Sequence, residues 1–214
     1  MSRDDAAARI ADLFESRFVQ GYVRSKLRTD PVYGAVLQWL RGHPHPLLDV
    51  GCGVGLLSFL LREAGFTPPI AGIDFDARKI AEAQRAAKRY EGLEFRVADA
   101  RDPYPAGHSV VMLDLLHYFT RDEQQQILAR AAEAVPPGGV VIIRDAVDDG
   151  SWRYRMTWAA EAFARAIFWL KAERLNFPRR DQLVAAFAGW EQELVPLWGR
   201  TPFNNYLLVC RRRS

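Results

Sequence analysis

Cysteine is nearly absent from these 214 residues: Cys52 and Cys210 are the only two, and neither belongs to a C-x-x-C pair. Structural zinc and a disulfide framework are both set aside on that ground. Long apolar runs are missing as well. The greasiest stretch, Trp158–Leu170, is interrupted by Glu161 and Arg165 and is too short to span a bilayer. The start, Met1-Ser2-Arg3-Asp4-Asp5, lacks the apolar segment of a secretion signal, so the sequence reads as a soluble cytoplasmic protein. Charge of one sign is also scarce. Lys and Arg number 29 against 26 Asp and Glu, a net +3 too weak and dispersed to argue for nucleic acid. An acidic small molecule or an acidic carrier partner fits such a balance, and so does an ordinary solvated arginine-rich surface. No internal repeat or low-complexity segment is visible, and the length suits one α/β domain over 1–214.

What is present is an alternation of short apolar runs with helical patterns. Residues 4–20 read as an amphipathic helix broken at Gly21, with Tyr22–Leu27 as a basic, aromatic connector. Asp30-Pro31 opens a second helix, Asp30 as cap and Pro31 at the first helical position, which stops at Arg41-Gly42. Strands follow at Leu47–Val50, Ile70–Ile73, Leu93–Val97, Val110–Leu113 and Val140–Ile143, with helices at Leu56–Glu63, Ala77–Arg89 and Arg121–Val135. The Pro/Gly-rich crossover Arg101–His108 has room for one helical turn at most. A long helix over 151–175 interrupts the rhythm, helix Arg179–Phe187 resumes it, and strands Glu191–Pro196 and Phe203–Cys210 close the chain. Two adjacent strands with no helix between them make an antiparallel pair. The pattern is α/β, a Rossmann-like doubly wound sheet of seven strands.

The segment Asp49-Val50-Gly51-Cys52-Gly53-Val54-Gly55 joins the first strand to the next helix. Alternating glycines let the backbone turn sharply and let a ligand come close, at the carboxyl end of a strand where nucleotides bind in open α/β sheets. A dinucleotide fingerprint would need glycine at position 56, where this chain has Leu56. Asp49 would repel a pyrophosphate but suits a ligand carrying an ammonium group. About twenty residues on, Asp74 ends the second strand, where a carboxylate can accept both ribose hydroxyls, with Phe75 beside it to flank an adenine ring.

The D-x-G-x-G-x-G turn resembles the first motif of the class I S-adenosylmethionine-dependent methyltransferases, over roughly residues 46–210. That resemblance implies a seven-stranded sheet whose last strand is antiparallel, with 1–45 and 151–175 as caps. It implies S-adenosylmethionine as cofactor, held by Asp49, Gly51, Cys52, Gly53, Asp74 and Phe75. By the same resemblance Asp99 accepts the adenine amino group, Ala100 lends a backbone N–H, and Asp114 and Leu115 lie on the cofactor's methyl side. His117 is the candidate catalytic base there, or else a packing or capping histidine. Asp114 and Asp145 stand where catechol-type enzymes hold magnesium, but Ala146 replaces the third ligand, so no metal is expected. The Asn/Asp-Pro-Pro-Tyr/Phe run of adenine methyltransferases and the Pro-Cys of cytosine enzymes are both missing.

Four further segments are similar to small methyltransferases of bacterial aryl-polyene and xanthomonadin-type pigment synthesis: 27–33, 72–80, 151–155 and 202–206. This narrower likeness implies O-methylation of a phenolic or aryl acyl group, carried on an acyl carrier protein in one version. Aromatics and arginines at 152–158 and 198–203 suit such a planar or anionic acceptor. The competing readings are a nicotinamide oxidoreductase, opposed by Leu56 and Asp49, and a methyltransferase-like protein that binds without turnover. The oligomeric state is not legible in the sequence.

Overall fold

The computed structural model describes residues 3–159, 176–199, 201 and 203–214. The chain begins with three helices, α1 (Arg3–Ala11), α2 (Arg17–Thr29) and α3 (Pro31–Trp39). The alternation then runs β1 (Leu47–Val50), α4 (Leu56–Glu63), β2 (Ile70–Asp74), α5 (Ala77–Ala87), β3 (Leu93–Val97) and β4 (Ser109–Leu113). After a 3-10 turn at Leu116–Tyr118 come α6 (Arg121–Ala134), β5 (Val140–Ala146) and α7, helical over 152–159. The last elements are α8 (Arg180–Ala185), β6 (Glu191–Pro196) and β7 (Asn205–Arg211). The seven strands form one sheet in the order β3-β2-β1-β4-β5-β7-β6. Among the described residues no helix is long and apolar enough to cross a membrane.

The chain divides into two compact units, Met1–Asp102 with Gly107–Val111, and Pro103–Ala106 with Met112–Ser214. In the first, β1 pairs parallel with β2 and β2 with β3. Every residue of β1 is buried, as a strand covered on both faces requires. Asp30 caps α3 by accepting the Val32 N–H, with Pro31 in the first turn where a missing N–H costs nothing. Asp76 caps α5 in the same way through Arg78. In the second unit β7 pairs antiparallel with both β5 and β6, so the closing pair has the expected direction. Thr120 and Glu123 close a reciprocal capping box at the start of α6.

Several expected boundaries differ. The helix expected over 4–20 ends at Ala11, and Gly21 lies inside α2 rather than breaking it; residues 22–27 are helix, not connector. The break falls at 12–16 because Phe14 turns inward against Phe59 and Ser16 caps a new helix. A glycine inside a helix costs about 1 kcal/mol, which the buried Val23 and Leu27 of the same helix offset. Strand β5 does not stop before Arg144-Asp145. Its ladder with β7 runs on to Ala146 opposite Asn205, and both charged residues are buried within it. β7 itself starts at Asn205, two residues later than expected. The expected helix over 151–175 is described only to residue 159, and its remainder lies outside the described residues.

Candidate active site

In the first unit the glycine turn is fixed by backbone bonds before any ligand enters. Gly51 N–H and Cys52 N–H both donate to the carbonyl of Ile73, at 2.8 and 3.0 Å. Gly53 N–H donates to Asp74 Oδ2 at 2.9 Å, while Asp74 Oδ1 accepts from Asp76 N–H at 2.9 Å. The strand-end carboxylate therefore latches the turn, and a carboxylate has about four acceptor sites, so two remain for a diol. Gly53 and Gly55 are glycine for different reasons. Gly53 has φ +58 and open space where a Cβ would point, which leaves the main chain there open to close approach. Gly55 has φ +84, and its Cβ would lie 2.7 Å from the Phe95 ring.

Asp49 is 3% exposed and accepts a bond from Ser58 Oγ at 3.3 Å. Burial raises its pKa to about 7; the negative charge of Asp74 adds to the rise, and the Ser58 bond opposes it. A carboxyl so placed becomes a stable anion once a cation lies opposite. Burial, with the charges of Asp49 and Asp74, pushes the Cys52 thiol far up, so this sulfur stays protonated and serves as packing. Phe75, beside Asp74, is 77% exposed. Asp99 is held by Arg101, whose Nε and Nη2 donate to the two carboxylate oxygens at 2.9 and 2.6 Å. That guanidinium draws the Asp99 carboxyl below the usual range. Ala100 follows it, buried. The open face of Gly53, the acceptor capacity of Asp74 and the buried acid Asp49 together fit a nucleoside that carries an ammonium group.

In the second unit His117 and Asp145 form a buried pair. Nδ1 of the ring lies 2.7 Å from Asp145 Oδ1, and the His117 backbone N–H donates to Oδ2 at 3.3 Å. Asp145 Oδ1 also accepts the Ala146 N–H. The His117 carbonyl accepts from Asn176 N–H, and the rings of Tyr118 and Phe177 flank the imidazole at centroid distances of 4.1 and 5.6 Å. Asp114, assigned to the cofactor by resemblance, gives its carboxylate to Arg144. Leu115 follows it, leading into the 3-10 turn. The sequence offered Asp145 only as a metal candidate and missed it as the partner of His117. Both of those acids are committed to basic side chains. Among the described residues no group of three or more His, Cys, Asp or Glu is gathered to hold a metal.

The aromatic and basic segments singled out in the sequence do meet. The Arg153 guanidinium lies 4.9 Å from the Trp152 ring and 4.3 Å from the Trp198 ring, and donates to the Thr201 carbonyl. Thr157 Oγ1 accepts the Asn204 N–H at 2.8 Å, a second bolt between α7 and the segment before β7.

Residues 47–139 match the family model described as a methyltransferase domain. Among curated relatives the chain is 28% identical to indole glucosinolate O-methyltransferase 5 of Arabidopsis thaliana, over 69% of this chain and 43% of that protein. It is 35% identical to flavonoid 7-O-methyltransferase 1B of Mentha piperita, over 48% of this chain and 29% of that protein. The trans-aconitate 2-methyltransferase of Sinorhizobium fredii is 29% identical over 74% of this chain and 62% of that protein. The chain thus spans less than two thirds of the length of each of these relatives. Among solved structures, magnesium protoporphyrin IX methyltransferase from Synechocystis with bound S-adenosylhomocysteine superposes with a TM-score of 0.66 at 19% identity, covering 97% of this chain and 93% of that one. An O-methyltransferase family protein from Burkholderia thailandensis gives 0.68 at 18% identity, covering 98% and 69%. Residues 47–139 thus match a methyltransferase domain, and the fold is the one that these solved methyltransferases share.

Proposed function

We propose that the chain methylates an oxygen of a small aromatic acceptor, with His117 as general base and Asp145 as the group that orients it. The observation that carries this reading is the buried His117–Asp145 pair. With Nδ1–H donated to Asp145, Nε2 becomes the ring atom whose lone pair takes a proton from the acceptor hydroxyl. A phenol has a pKa near 10 and is mostly protonated at neutral pH, so a base beside it raises the attacking phenolate. Several relatives are O-methyltransferases, among them enzymes named for flavonoid and indole glucosinolate substrates. That supports oxygen over nitrogen or carbon.

S-adenosylmethionine, when bound, supplies a methyl group activated by the sulfonium. In this reading Asp74 accepts the ribose hydroxyls, Asp49 in its ionised form faces the ammonium group, and Gly51, Cys52 and Gly53 shape the turn against the nucleoside. Phe75 flanks the adenine, Asp99 accepts its amino group and Ala100 offers an N–H. Asp114 and Leu115 also belong to the cofactor site in this reading, Asp114 with its carboxylate bonded to Arg144. The narrower likeness gives the acceptor as a phenolic head group of pigment synthesis carried on an acyl carrier protein. The Trp152–Arg153–Trp198 stack is the feature that supports a planar or anionic acceptor.

The test measures S-adenosylhomocysteine release with a panel of simple phenols and hydroxybenzoates as probes. Turnover is expected with at least one of them. His117→Ala should lower it by about 10²–10⁴-fold, the usual worth of a general base, with S-adenosylhomocysteine affinity unchanged. Near-normal turnover of His117→Ala across pH 6 to 9 would make the histidine structural and end this reading.

A further inference from the structure

Two charged residues stand side by side in β5, a strand whose every residue is buried. Successive strand residues point to opposite faces, and here the two grip opposite ends of one short segment. Arg144 bonds the Asp114 carboxylate through its guanidinium, and its carbonyl accepts the Asp114 N–H at 2.8 Å. Asp145 takes the other end, bonding both the ring and the backbone N–H of His117. Asp114 also has φ +56, and it is the only non-glycine residue at positive φ among the described residues. A side chain at Cβ disfavours that left-handed conformation; Asp tolerates it better than most, and it persists where the surroundings hold it.

We propose that Arg144 is a positioning residue: by holding Asp114 in the left-handed conformation it sets the direction in which the chain leaves β4, and so delivers His117 to Asp145. Its value to catalysis rests on the reading of His117 as the base, whereas the geometry it enforces can be measured without turnover. With the segment released, His117 would sample orientations in which Nδ1 no longer meets Asp145. The tautomer that leaves Nε2 as the proton acceptor would then lose its anchor.

Long-range proton–nitrogen NMR of the four histidines reports ring tautomers, with the His117 signals identified by their loss in His117→Asn. In Arg144→Met, His117 should lose its single Nδ1–H tautomer, and its amide should exchange with solvent at least about tenfold faster. Combining Arg144→Met with Asp114→Gly should restore both, because glycine adopts φ +56 unaided. Should Arg144→Met fail to fold, Asp114→Ala against Asp114→Gly carries the same question. Both remove the carboxylate and leave Arg144 in the same condition, but only alanine resists the left-handed backbone. Alanine should disturb the His117 signals and glycine should not. An unchanged tautomer and exchange rate in Arg144→Met, or in Asp114→Ala, overturns the proposal, as does a double variant that fails to recover. A fully active His117→Ala would end the base reading instead, without touching these spectra.

Discussion

Replacing Asp49 by asparagine removes a carboxyl that the fold keeps out of water and holds half-titrated near neutrality, with its pKa at about 7. A cation bound opposite would favour the ionised form, so cofactor binding should expel a proton wherever Asp49 begins protonated. With a pKa of about 7, roughly a tenth of the molecules are ionised at pH 6 and roughly nine tenths at pH 8. If only the ionised form binds, affinity rises about tenfold across that interval. The ligand's own α-amino group titrates near 8, so the informative quantity is the ratio of wild-type to Asp49→Asn affinity at each pH. That ratio should climb about tenfold between pH 6 and 8. Calorimetry with S-adenosylhomocysteine at pH 6.5, in two buffers of different ionisation enthalpy, should show release of about 0.8 proton in the wild type and almost none in the variant. Stability without ligand carries the opposite sign. A carboxyl whose pKa is raised on folding contributes stability below its unfolded value near 3.9, and that contribution is lost as pH rises through 7. About three pKa units correspond to about 4 kcal/mol, so ligand-free Asp49→Asn should be the more stable protein at pH 8 by up to that amount. A flat affinity ratio with no proton release would refute the reasoning, because Asp49 would then be ionised already or remote from the cation.

Asp74→Ala should weaken S-adenosylhomocysteine by about 1–3 kcal/mol, because the ribose loses its acceptor and the Gly53 N–H loses its anchor; unchanged affinity by calorimetry removes Asp74 from the site. Gly55→Ala combines a strained φ of +84 with a Cβ 2.7 Å from Phe95, so denaturant unfolding should show a loss of at least about 1–3 kcal/mol; a neutral result would mean that neither the backbone conformation nor the Phe95 contact requires glycine. Activity should survive excess EDTA, since Asp114 and Asp145 are committed to Arg144 and His117; loss that magnesium restores would overturn the metal-free reading.

The first half of the chain was readable because its signals are local. Three alternating glycines, an Asp-Pro helix start and an acidic strand end each declare themselves within a few residues, and β1, α4 and β3 have the expected limits. Gly21 misled because a glycine in a helix costs little when its neighbours are buried, while the true break depends on Phe14 reaching Phe59, 45 positions away. Asp145 was misjudged for a similar reason. Read locally, Arg144-Asp145 looks like the charged end of an apolar strand. Only the ladder to β7 and the reach to His117, 28 positions back, show two charges buried with partners of their own. The Arg101 clasp on Asp99 was likewise unforeseen, since the spacing fits a turn as readily as an ion pair.

The ring of Phe95 occupies space that two other residues decline to use. It lies where a Cβ at Gly72 would come, 2.5 Å away, and where one at Gly55 would come, with the Phe59 ring beside it. Positions 55, 72 and 95 therefore share one volume, and since a φ of +84 keeps 55 a glycine whatever the space, only 72 and 95 can exchange size. A larger residue at 72 demands a smaller one at 95, although the two belong to different strands and neither need touch a ligand. Library designs that enlarge position 72 alone would select against themselves, whereas varying it jointly with Phe95 opens sequence space that single substitutions cannot reach.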